Sequence, residues 1–208
     1  MNLVLLGGGG HGKVCAAVAS RAGWNVLGFL APSPSPPLLD GCSWLGTDEW
    51  LDNEAPKSDC AFLVSVGQVT AESIRPRLLG LLLDRNLSVA TLVARSAVLM
   101  PSARVGRGSA IMEQAVIGAS AVVGQNCMIN TGAIVEHDAE IGDHCHVSTA
   151  AVVNGNCHIG SGAMLGSGAV VLQGVRICAG ALVGAGAVVV ADITEPGKWV
   201  GVPARRVT

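Results

Sequence analysis

A six-residue period runs through the second half of this chain and leaves few folds open to it. Cut in sixes from Val93, residues 93–194 form 17 hexads without a gap, among them INTGAI, VEHDAE, IGDHCH and IGSGAM. The first place is Val, Ile or Leu in all 17. The fifth is Ala, Ser or Cys in 15, with Val175 and Ile193 as the exceptions. Neither the strand period of about 2 nor the helix period of about 3.6 yields this pattern. It arises when three short strands close one coil of a triangular prism. The first-place aliphatic then points inward and stacks on its equivalents in neighbouring coils. The fifth place also points inward, but near a corner, so it must be small. Gly and Asn, frequent at the second place, are read as residues that tolerate the backbone angles of tight corners. The expected fold of this half is a parallel β-helix whose coils bond to one another.

Composition agrees. Half the residues are hydrophobic, yet only 3% are aromatic, Tyr is absent and Gly numbers 28. That suits narrow, repetitive packing. The net charge of −2, with no basic run, argues against nucleic acid or an anionic membrane as partner. No apolar run approaches a membrane span. The opening MNLVLLGGGGHGK lacks a basic leader region, so no signal peptide is expected. The seven cysteines are odd in number and form no CxxC pair, which points to a reduced, cytoplasmic setting without a disulfide framework. Cys127, Cys145 and Cys157 share the fifth place and are expected as small buried thiols, poor nucleophiles.

Residues 1 to about 88 follow a different rule. Leu3–Leu6, Val26–Leu30 and Phe62–Val66 read as short buried strands, with helices over about Lys13–Arg21 and Ala71–Arg85. This alternation predicts a small parallel α/β unit. Ala31-Pro32-Ser33-Pro34-Ser35-Pro36-Pro37 cannot form regular structure and is read as a loop or lid. Gly7, Gly9 and Gly12 satisfy GxGxxG between a strand and a helix, the arrangement that cradles phosphate on backbone amides. A dinucleotide site also wants an acid after the second strand for the ribose, and Ala31-Pro32 stand there. Two readings are left for the loop, a phosphate cradle for another nucleotide and a purely structural turn.

The uninterrupted hexads and the closing EPGKWVGVPARRV resemble the hexapeptide-repeat acyltransferases. With GGGGHGKV at the front and NTGAIVEHDAEIGDHCHVS in the middle, the chain resembles the NeuD/PglD-like sugar acyltransferases over nearly its whole length. The resemblance implies a Rossmann-like nucleotide-sugar-binding domain over residues 1–88. A left-handed parallel β-helix over 89–208 would bind acetyl-CoA and carry the chemistry, in a homotrimer with grooves between adjacent prisms. It places Gly10, His11 and Gly12 against the nucleotide of a UDP-linked amino sugar. Ala31-Pro32 replace the acids this branch usually carries after the second strand.

Acyl transfer from a thioester needs a base for the acceptor's proton, a group to orient that base, and donors for the developing oxyanion. Histidine can serve as the base near neutral pH. His137, third in VEHDAE, should point outward near a corner, where Asp138 could reach its ring. The resemblance makes His137 the catalytic base and Asp138 its orienting partner, and sets His146 near the thioester carbonyl. It brings Asn130 close to the catalytic histidine. Gly155 lies 18 residues beyond His137, one coil on, where a missing side chain leaves room for the cofactor. Gly184 and Gly186 are candidates further along the groove. His144 and His158 receive no role, and no metal is expected. The expected activity is N-acetylation of UDP-4-amino-4,6-dideoxy-hexose. Its alternatives are O-acetylation of sialic acid or a related sugar, and a non-catalytic nucleotide-sugar scaffold.

Overall fold

The structure, a computed structural model, describes residues 1–56, 58–68 and 74–207. It divides into two compact units, Met1–Gly67 with Ile74–Arg95, and Ser96 onward together with Gln68.

The first unit is a four-stranded parallel sheet. Strands β1 (Asn2–Leu6), β2 (Asn25–Leu30), β3 (Ser43–Gly46) and β4 (Cys60–Val64) lie in the order β3-β2-β1-β4. Leu6 pairs with Leu30 on one side and Val64 on the other, so the sheet's carboxyl edge is set at its centre by β1. Leu3, Leu5, Phe29, Phe62 and Leu63 are fully buried, as expected of strands covered on both faces. Helix α1 (Gly10–Ala22) follows β1, α2 (Trp50–Asn53) follows β3, and α3 (Arg75–Asp84) precedes the passage to the second unit. The proline segment 31–37 is a loop, as its sequence requires. Strand β3 and the short α2 have no counterpart in the sequence reading. The part of the expected Ala71–Arg85 helix before Ile74 lies outside the described residues.

The second unit is a three-faced solenoid of two-residue strands in parallel, 18-residue register, such as Val122↔Glu140 and Met128↔His146. The first-place residues Ile111, Ile117, Ile129, Val135, Val147, Val153 and Leu165 are fully buried, and so are the fifth-place Ala133, Ala139, Cys145 and Cys157. The sixth place points outward. On one face that outward column is Val98, Val116, Ile134, Val152, Val170 and Val188.

The corners correct one detail of the sequence reading. The left-handed backbone falls on the fourth place of the hexad, not the second. It recurs every six residues from Gly108 (φ +74°) through Gln114, Ser120, Asn126, Gly132 and Asp138 to Gly186 (φ +66°). Second-place glycines answer another demand. A Cβ on Gly106, Gly142 or Gly160 would stand 2.6, 2.7 or 2.4 Å from backbone atoms of the next coil. They are glycine because the coils approach too closely there for any side chain.

Candidate functional site

The sharpest feature of the solenoid is the corner at His137. Its Nδ1 lies 2.9 Å from Asp138 Oδ2, and the two side chains are 53% and 60% exposed. Asp138 occupies the left-handed fourth place (φ +58°), which swings its carboxylate back toward the residue before it. Strand alternation would have separated the two side chains; the corner brings them together. An ionised carboxylate only accepts, so Nδ1 carries the proton and donates it, and Nε2 keeps its lone pair. The corner is pinned from both sides, with Asp138 N–H donating to Ala119 O (2.9 Å) and Asn156 N–H to His137 O (3.0 Å).

Two glycines fit this corner into the stack. In the following coil, a Cβ on Gly155 would lie 2.5 Å from His137 Nε2. The space a side chain would fill is taken by the imidazole itself. In the preceding coil, a Cβ on Gly118 would stand 2.6 Å from His137 N and 2.7 Å from Glu136 C. Sequence reasoning passed over Gly118 because second-place glycines are common. The 18-residue step back from Glu136 was the signal that could have found it. Gly155→Ala is expected to leave thermal stability unchanged, since only the tip of an exposed side chain must move. Turnover should fall by about 10–100-fold as the ring is displaced, because a shift of about 1 Å can cost that much. Steady-state kinetics beside a melting curve checks this.

The other predicted residues lie elsewhere on the prism. Asn130 opens the corner on the far side of the valine-rich face, where its Oδ1 accepts from Thr131 N–H (2.8 Å). Gly184 and Gly186 stand on that same corner, three coils on. Gly184 makes room for Val200 (2.7 Å to Cγ1), and Gly186 is a left-handed corner residue. His146 sits on a third face, between Met128 and Met164, and is 8% exposed. Its Nδ1 donates to Gln68 O (2.9 Å), and Ser148 Oγ lies 3.4 Å from Nε2. So one chain unites His137, Asp138 and Gly155, and separates them from Asn130, Gly184, Gly186 and His146. A groove of about 650 Å³ follows the face beyond His137, past Glu140, Asp143, His158, Ser161 and Arg176.

The cysteines are free thiols. Cys145 is held protonated chiefly by its contact with the Cys127 thiol and then by burial, and burial also pushes Cys157 up. Both are fully buried, which disfavours the accessible thiolate that a nucleophile needs. Among the described residues no group of three or more His, Cys, Asp and Glu could hold a metal ion, and no helix is long and apolar enough to cross a membrane.

In the first unit the glycine loop sorts into two kinds. A Cβ on Gly12 would lie 2.3 Å from Gly7 O, and one on Gly8 2.4 Å from the Phe29 ring. Those glycines are structural. Gly9 and Gly10 have nothing within 4 Å among the described residues, so packing there does not explain them. Helix α1 starts there without a side-chain cap. His11 Nε2 is 3.4 Å from Cys15 Sγ, whose thiol burial pushes up to about 12 despite the nearby Arg75 guanidinium. A cleft of about 450 Å³ opens at the carboxyl ends of the strands, walled by Leu6, Leu30, Val66 and Leu78 and edged by Asp48 and Arg77. This is where parallel sheets bind ligands.

Residues 2–76 match the model of the PglD N-terminal domain, and residues 120–155 and 156–191 match that of the bacterial transferase hexapeptide. Across 99% of both chains, the structure matches the acetyltransferase domain of PglB from Neisseria gonorrhoeae FA1090, at 31% identity and a TM-score of 0.93. The chain belongs to the PglD/NeuD-type hexapeptide-repeat acyltransferases. Its solenoid is accordingly a left-handed β-helix, and its front unit a Rossmann-like PglD domain. A variant of GDP-perosamine N-acetyltransferase from Caulobacter crescentus, in complex with CoA and GDP-perosamine, is 33% identical over 100% of this chain and 97% of that one, with a TM-score of 0.94. WeeI from Acinetobacter baumannii AYE is 25% identical with full coverage of both chains and a TM-score of 0.88. No curated protein sequence matches.

Proposed function

We propose that this acyltransferase is an acetyl-CoA-dependent N-acetyltransferase whose acceptor is the amine of a nucleotide-linked 4-amino-4,6-dideoxy-hexose. The observation that carries the reading is the His137–Asp138 pair, 2.9 Å apart, with Nε2 left as the only basic nitrogen of an exposed ring. The sugar amine attacks the thioester carbonyl and Nε2 takes its proton. The C–S bond then breaks and CoA leaves as the thiol, taking up the proton. Asp138 holds the tautomer and stabilises the imidazolium that forms. Acetyl-CoA complexes of the PglB domain, and the perosamine enzyme's complexes with CoA, support the donor. Asp143, Ser161 and Arg176 in the groove beyond His137 supply polar partners for such a carrier.

The active form is a homotrimer. Six outward aliphatics on one face form a stripe suited to burial against copies of itself. His137 and Gly155 flank one edge of that face, Asn130, Gly184 and Gly186 the other. A neighbour packed on this face sets the second edge against the first. Gly9, Gly10 and His11 face the diphosphate of the acceptor. Seven free cysteines fit a cytoplasmic site of action.

A thiol-release assay with acetyl-CoA tests the reading. Purified protein is offered UDP- and GDP-4-amino sugars, CMP-linked sugars and free sialic acid. Rapid release with a nucleotide-linked 4-amino sugar is expected. Turnover on sialic acid alone would make it an O-acetyltransferase. Bound acetyl-CoA with no turnover on any sugar would make it a scaffold.

A further inference from the structure

The nucleotide named by the family resemblance is UDP, with acids after the second strand, yet this chain has Ala31-Pro32 at that point. The cleft's charged edge comes from another element. Asp48 lies in the turn between β3 and α2, where Leu51 N–H donates to its carbonyl (3.2 Å). Arg77, in the first turn of α3, reaches it with Nη1 at 3.3 Å and Nη2 at 3.4 Å, both on Oδ2. Neither guanidinium contact falls on Asp48 Oδ1. The pair offers two carboxylate oxygens and a guanidinium, an acceptor, acceptor, donor set at the cleft. The walls behind it, Leu6, Leu30, Val66 and Leu78, are apolar, as a stacked base requires.

We infer that Asp48 and Arg77 select the nucleobase and that the base is guanine, a conclusion that rests on the nucleotide-sugar reading above. Guanine presents N2–H, N1–H and O6 in a row, the complement of that acceptor, acceptor, donor set. Uracil presents a single N–H between two carbonyls. One oxygen of Asp48 would then face a carbonyl oxygen, two acceptors without a proton between them. Adenine offers one donor beside a bare ring nitrogen and fails in the same way. Arg77 serves twice, holding the carboxylate in place and donating to O6.

Calorimetric titration of the full-length protein with free GDP, UDP and IDP, without acetyl-CoA, tests this separately from catalysis. GDP is expected to bind about 10–100-fold more tightly than UDP, the range of a hydrogen bond to a charged group. IDP, which lacks only the exocyclic amine, should lose about 10-fold relative to GDP. Asp48→Asn should erase the preference for GDP and change UDP binding less than 3-fold, roughly. UDP binding as tightly as GDP, or IDP equal to GDP, would overturn the assignment. Binding of none of the three would overturn the nucleotide-sugar reading with it, whereas tight GDP binding in a protein inert toward acetyl-CoA would leave guanine selection standing.

Discussion

His137→Ala is expected to lower kcat for thiol release by about 10²–10⁴-fold, the usual contribution of a positioned general base, and to leave the proposed trimer and its acetyl-CoA affinity intact. The side chain is half exposed, paired with Asp138 and lying over the bare backbone of Gly155, so it is not part of the buried core. Its removal vacates space without opening a buried cavity. The measurement pairs steady-state kinetics with calorimetric titration of acetyl-CoA and a mass determination by light scattering, where three copies of a 21.0 kDa chain are expected. A variant within a few-fold of the parent rate would show that the proton leaves by another route.

Gly118→Ala gives the second large effect, and in a different pattern. The new methyl would meet backbone at 2.6 and 2.7 Å, and neither the N of His137 nor the C of Glu136 can swing aside as a side-chain tip can. Overpacking of this kind costs about 1–3 kcal/mol. In a chain of this size that lowers Tm by roughly 2–10 °C. Because the strained corner carries the proposed base, kcat is expected to fall as well. The contrast with Gly155→Ala is diagnostic, since one variant should lose activity and stability together and the other activity alone. Differential scanning calorimetry and the thiol-release assay on both variants check it.

How much was legible in advance follows from what repeats and what does not. The prism declared itself because 17 hexads share one pattern, and each inward aliphatic repeats the evidence of the last. Within that frame His137 and Asp138 were readable as neighbours, but their contact depended on which place of the hexad turns left-handed. Sequence reasoning put the unusual backbone at the second place, where glycine is frequent. Glycine is there for close approach between coils, and the left-handed place tolerates Gln114, Asp138 and Ala150 as well as glycine. The front unit gave fewer clues, because a strand such as Ser43–Gly46 is short and breaks at Gly46, with no periodicity to mark it. Asp48 was invisible as a site residue for the same reason. Its partner Arg77 is 29 positions away, and only the fold brings them together.

The left-handed ladder that recurs every six residues from Gly108 to Gly186 also fixes how such a chain can change in length. Deleting six residues would keep the inward rank but rotate every later column onto the next face. His137 would then no longer have Gly155 above it. Any number that is not a multiple of six would turn the aliphatic ranks out into solvent. Only whole coils can be gained or lost silently, and only outside the stretch from Gly118 to Gly155. Natural length variation in this lineage should therefore come in quanta of one coil, placed toward either end of the solenoid, while the two turns around His137 stay constant in number.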